Sequence, residues 1–103
     1  MAARMRQICL VANRLDTLAA DFKAGRGLNV CYRHPGVGKY GLENMLMPLG
    51  PSFLEVVAPT RPGTAGGRYL ERRGGDGGYM VICQVPENDT YRARCEKFGV
   101  RIA

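Results

Sequence analysis

The sequence predicts an α+β fold, and three features carry that expectation. Short apolar runs rich in β-branched and aromatic residues alternate with stretches of helical spacing. The best defined stretch, Leu42 to Pro59, reads as two strands joined by the turn Leu49-Gly50-Pro51-Ser52. There glycine accepts a positive φ, while proline presets its own φ and cannot continue a central strand. At 103 residues the chain is long enough for one domain with a core of its own.

The elements follow in order. Gln7 to Ala12 reads as a first strand. Asn13 offers a helix cap, Leu15, Leu18, Ala19 and Phe22 recur at helical spacing, and Gly25 is the expected stop. Leu28 to Arg33 is a second strand. His34 to Gly41 is expected as a flexible rim loop, because its three glycines lack the spacing of a phosphate cradle. After the strand pair at 42–59, Thr64 to Arg73 suits a short helix weakened by two glycines. Gly74-Gly75-Asp76-Gly77-Gly78 reads as a hinge, and Tyr79 to Val85 as a strand. Asn88 or Asp89 then caps a helix that carries Tyr91, Cys95 and Phe98 on one face and stops at Gly99. Val100-Arg101-Ile102 begins a further strand. The order is β-α-β-β-β, a short helix, then β-α-β. It divides into a first unit at 1–73, a hinge at 74–78, and a second unit at 79–103 that opens like a repeat of the first.

Composition narrows the function classes. The formal charge is +6, yet residues 1–60 carry seven basic and four acidic side chains and residues 61–103 carry eight and five. No block of like charge resembles a nucleic-acid arm. No apolar run approaches the ~20 residues that span a bilayer, and the N-terminus does not read as a signal peptide, so a cytoplasmic protein without membrane or nucleic-acid partners is expected. Cys9, Cys31, Cys83 and Cys95 lack zinc-type pairing and read as reduced, buried thiols.

Glu55 stands out because it interrupts a strand that is otherwise almost entirely apolar, Ser52 to Ala58. A buried carboxylate is costly unless it is paired or bound to a cation. Two readings follow. Glu55 is bound to a cation, or it is paired with an arginine such as Arg33. Gln7 reads as a hydrogen-bonded strand end. His34, Tyr32, Tyr40 and Asn44 are candidate substrate contacts, with packing or a rim position as the alternative for each.

The segments Gln7 to Asp16, Phe53 to Pro59 and Gly63 to Leu70 resemble the glyoxalase-like branch of the vicinal-oxygen-chelate superfamily, the glyoxalase/bleomycin-resistance fold. The resemblance implies paired βαβββ modules forming a cupped sheet. Its metal ligands would fall on Gln7 and Glu55, holding a divalent ion such as Zn, Ni, Mn, Fe or Mg, with Glu55 as catalytic base of a lyase or isomerase acting on a small oxygenated molecule. The second module here is partial: its ligand position falls near Tyr79 or Met80, and its last strands are missing. The resemblance therefore implies a homodimer, with an exchanged C-terminal unit as one form, to complete the ligand set. The alternatives are a non-catalytic small-molecule or drug-sequestering protein and an inactive truncated remnant.

Overall fold

Residues 3–102 are described by the computed structural model, which has four strands and three helices. In chain order these are β1 (Arg4–Val11), α1 (Leu15–Arg26), β2 (Leu42–Leu49), β3 (Ser52–Pro59), α2 (Ala65–Arg73), β4 (Gly77–Gln84) and α3 (Asn88–Lys97), with a 3-10 turn at Pro35–Tyr40. The strands form one sheet in the order β2-β3-β1-β4. The fold is the expected α+β arrangement.

The turn at 49–52 sets the geometry of the site. Gly50, at φ 57°, lets the chain reverse, and Leu49 pairs with Ser52 so that β2 and β3 run antiparallel. β3 then lies parallel to β1, with Cys9 opposite Glu55 and Val11 opposite Val57. Side chains alternate across a strand, so this register sorts them into two layers. On one face Met45, Met47, Val56 and Ala58 close a core with Leu15 of α1, flanked by Leu18, Phe22 and Leu54. On the other, Cys9, Val11 and Val57 pack under Leu70 of α2. α2 is short and covers only one end of that face, leaving the end around Gln7 and Glu55 open.

Several boundaries differ from the expectation. The strand at 28–33 shrinks to a single bridge, in which Cys31 donates to the Leu46 carbonyl at 2.9 Å and Leu46 to the Tyr32 carbonyl at 2.8 Å. The ladder cannot continue, because the His34 N–H is taken by a side chain and Pro35 has no N–H. Asn13 does not cap α1. Arg14 holds that position without a side-chain bond, while the Asn13 backbone and amide both donate to Asp76. Gly27 rather than Gly25 ends α1, and Glu87 stands at the N-cap of α3. Val100 to Ile102 form no strand; the Val100 N–H turns back to the Cys95 carbonyl. In the 74–78 segment, Gly74 closes α2, and Gly77 and Gly78 belong to β4 opposite Val11 and Leu10. Among the cysteines, all free, only Cys9 is buried, whereas Cys31 and Cys83 are exposed. No helix among the described residues is long and apolar enough to cross a membrane.

Candidate functional site

The open end of the sheet forms a cavity of about 330 Å³ lined by Gln7 from β1, Asn44 and Leu46 from β2, Glu55 from β3, and His34, Val37 and Tyr40 from the 34–41 segment. Glu55 forms its floor and is only 7% exposed. Its hydrogen-bond partners are amides rather than an arginine. The Gln7 amide donates to Oε1 at 2.7 Å and the Asn44 amide to Oε2 at 2.7 Å. Arg33 is not its partner, which corrects that reading: the ion pair found among the described side chains joins Arg92 and Glu96 on the surface of α3. Two amides satisfy one lone pair on each oxygen, the Cys9 thiol also bonds the carboxylate, and a carboxylate has about four acceptor sites. Acceptor capacity is therefore left facing the cavity.

Asn44 is itself buried, and its oxygen accepts the His34 backbone N–H at 2.8 Å. The His34 ring folds back over the turn it starts, where Nδ1 accepts from Gly36 N–H at 2.9 Å. A Cβ at Gly36 would fall 2.7 Å from the ring carbon, so only glycine lets the imidazole cap the turn this closely. With Nδ1 occupied as an acceptor, the proton of the neutral ring sits on Nε2. The expected flexible loop is instead a capped 3-10 turn that ends at Gly41.

The structure thus gathers Gln7, His34, Tyr40, Asn44 and Glu55 around one cavity. Tyr32 does not line it. Its backbone pairs with Leu46, and its ring, 52% exposed, meets the His34 ring edge-on at 5.8 Å. Leu46, Val37 and Lys39 line the cavity without having been singled out. Leu46 was within reach of the sequence, because two-residue alternation puts it on the same face as Asn44. Lys39 carried no signal of its own. A larger hollow of about 620 Å³ lies between α2 and the 59–63 segment, and it holds none of the candidate residues.

The resemblance implies a metal on Gln7 and Glu55. They do stand together, but Gln7 turns its amide nitrogen to Glu55, and Asn44 engages the other carboxylate oxygen. Among the described residues no three His, Cys, Asp or Glu side chains gather closely enough to hold a metal ion. Two donors do not make up a resident divalent site, and the donor set of this chain does not fit one by itself.

Across the β1–β3 ladder from Glu55 lies Cys9, wholly buried, its thiol pushed up to about 12 by burial first and by the neighbouring carboxylate second. The folded state therefore holds Cys9 as a neutral thiol. The stability this contributes is intact below the unfolded value near 9.0 and is lost as pH rises toward about 12. Because the thiolate is the reactive form, iodoacetamide at pH 8 is expected to modify exposed Cys31 and Cys83 while sparing Cys9 until the chain is unfolded. Peptide mass mapping reads this, and modification of Cys9 at the rate of Cys31 would contradict it.

The four-stranded sheet, its helices and the half-open face are those of the vicinal-oxygen-chelate fold. Solved structures of that fold superpose on nearly the whole chain. A variant of Streptomyces coelicolor methylmalonyl-CoA epimerase in complex with 2-nitronate-propionyl-CoA matches with TM-score 0.85 at 23% identity, over 95% of this chain and 71% of its own. A methylmalonyl-CoA epimerase in complex with methylmalonyl-CoA and NH4+ gives TM-score 0.87 at 22% identity, over 98% and 73%. The Mycobacterium tuberculosis epimerase gives 0.83 at 19%, over 94% and 65%. No protein-family model matches the chain, and no curated protein does.

Proposed function

We propose that the chain holds a small oxygenated molecule against Glu55 and that Glu55 takes a proton from the carbon beside its carbonyl group. The observation that carries this reading is the buried carboxylate at the floor of a cavity, held by two neutral amides and the neutral Cys9 thiol with no cationic side chain against it among the described residues. The C–H bond breaks, the proton passes to Glu55, and the electron pair moves to the carbonyl oxygen as an enolate. His34, Lys39 and Tyr40 line the same cavity and carry donors of the type an enolate oxygen needs. The epimerases of this fold bind methylmalonyl-CoA and 2-nitronate-propionyl-CoA, which makes a 2-substituted acyl thioester the probe of choice.

A second reading, a binding protein without catalysis, is favoured by one feature: among the described residues Glu55 is the sole carboxylate lining this cavity. Stereochemical inversion calls for a proton donor on the opposite face of the carbon, and no second carboxylate supplies it. A homodimer belongs to both readings. β4 is an edge strand, its outer side is open to pairing with a second copy, and further ligands for a divalent ion would have to come from outside this chain.

Methylmalonyl-CoA in D2O separates these readings by proton NMR. Loss of the α-proton signal above the buffer rate supports proton transfer. Saturable binding without exchange assigns the chain to the second reading. Neither binding nor exchange overturns both and leaves the remnant. Light scattering on the same samples reports a mass twice that of the chain where the homodimer forms.

A further inference from the structure

We infer that Asn44 is a positioning residue that couples the Pro35–Tyr40 turn to the Glu55 carboxylate, so that a change at the cavity floor is transmitted to the turn above it. The chain of bonds is short and continuous. Glu55 Oε2 accepts from Asn44 Nδ2 at 2.7 Å, Asn44 Oδ1 accepts from His34 N–H at 2.8 Å, and His34 Nδ1 accepts from Gly36 N–H at 2.9 Å. Asn44 is 3% exposed, and its planar amide has a donor end and an acceptor end. The His34 N–H fixes which end faces the turn, and the carboxylate fixes which end faces the floor. The two contacts therefore enforce one orientation together, and losing either frees the other. Gln7 differs, since it is half-buried and its amide reaches Glu55 without a second tether to the turn among the described residues. Aspartate cannot replace Asn44, because it would set a second carboxylate against Glu55 and offer no donor to it. The backbone on both sides of the relay is anchored: Leu46 pairs with Tyr32 below the turn, and the Gly41 carbonyl accepts from Thr60 N–H at 2.8 Å beyond it. Among the described residues the Asn44 amide is the side-chain hydrogen-bond link between the turn and the carboxylate at the sheet floor.

Any use of this coupling in recognising a ligand rests on the proton-transfer reading, whereas the coupling itself is a property of the free chain and is tested without ligand. Amide hydrogen exchange at His34 and Gly36 is measured by NMR in four variants. Asn44→Ala is expected to speed exchange about tenfold, the loss of one buried hydrogen bond. Glu55→Leu does not touch the turn, yet it is expected to speed exchange by a similar factor because Asn44 loses its anchor. Glu55→Gln keeps an oxygen for Asn44 and is expected to hold the wild-type rate. Val56→Ala, in the core on the opposite face, is expected to leave the turn unchanged. Wild-type exchange in Asn44→Ala overturns the inference, as does equal acceleration in Val56→Ala, which would mark a global loss of stability. Wild-type exchange in folded Glu55→Leu likewise overturns it, and should that variant fail to fold, Glu55→Ala, which also removes the acceptor of the Asn44 amide, takes its place with the same two outcomes.

Discussion

Glu55→Gln is expected to slow α-proton exchange by about 10²–10⁴-fold, the range a positioned base contributes, while leaving the fold intact. The reason the fold survives is local. Glutamine brings one oxygen and one NH2 group to a floor that now presents two donors, from Gln7 and Asn44. Asn44 cannot turn over, because its oxygen is held by the His34 N–H. The new side chain must therefore give its oxygen to Asn44 and its NH2 to Gln7, whose half-buried amide is free to rotate and offer its own oxygen. Every buried polar group keeps a partner, and only the capacity to accept a proton is removed. Thermal melting followed by circular dichroism should match the wild type, and NMR in D2O reads the exchange. A melting profile at the wild-type position combined with undiminished exchange would end the case for Glu55 as the base.

Gly41→Ala is expected to cost about 2–5 kcal/mol of stability, from a left-handed backbone cost of about 1–2 and an overpacking cost of about 1–3. Gly41 sits at φ 70° and is buried. A Cβ there would collide with Thr64 Cγ2 and lie 2.8 Å from the Arg61 guanidinium carbon. Arg61 can swing away. Thr64 cannot readily do so, because it is 6% exposed and its hydroxyl caps α2 by accepting from Gly67 N–H at 3.1 Å. Nor can the Gly41 backbone shift, since its N–H goes to the Gly38 carbonyl at 3.0 Å and its carbonyl takes the Thr60 N–H. Gly38→Ala is the matched control: a Cβ there meets nothing within 4 Å, so the cost should stay within about 0.5 kcal/mol. Urea unfolding of both variants checks the pair, and equal costs would show that φ and packing at Gly41 do not matter as described.

Particular residues show where sequence reasoning reached and where it stopped. Glu55 was conspicuous because a charge in an apolar strand violates the local pattern, and patterns of period two survive folding unchanged. Asn44 was legible only as a candidate contact. Its role depends on which amide end faces the turn, and that is set by a carboxylate eleven residues away in sequence and by a backbone N–H on another segment. The Arg33 pairing failed for a similar reason: charge balance is visible in a sequence, but the distance between the charges is not. The 28–33 strand was over-read because β propensity at Val30 and Tyr32 says nothing about how long a neighbouring edge stays within reach.

By itself the sequence determined the three helices, the four strands of the sheet, the reversal at Leu49 to Ser52, and the solitary acid in β3, because each follows from local φ preferences and side-chain alternation. The tertiary structure alone decided that β1 lies parallel to β3 with Cys9 across from Glu55, that α2 stops short of covering the face, and that the amides of Gln7 and Asn44 rather than Arg33 meet the carboxylate. These are matters of register between distant segments. They are settled when burying Met45, Met47 and Val56 under α1 fixes every strand at once, and Gln7, Asn44 and Glu55 are carried to one floor as a consequence.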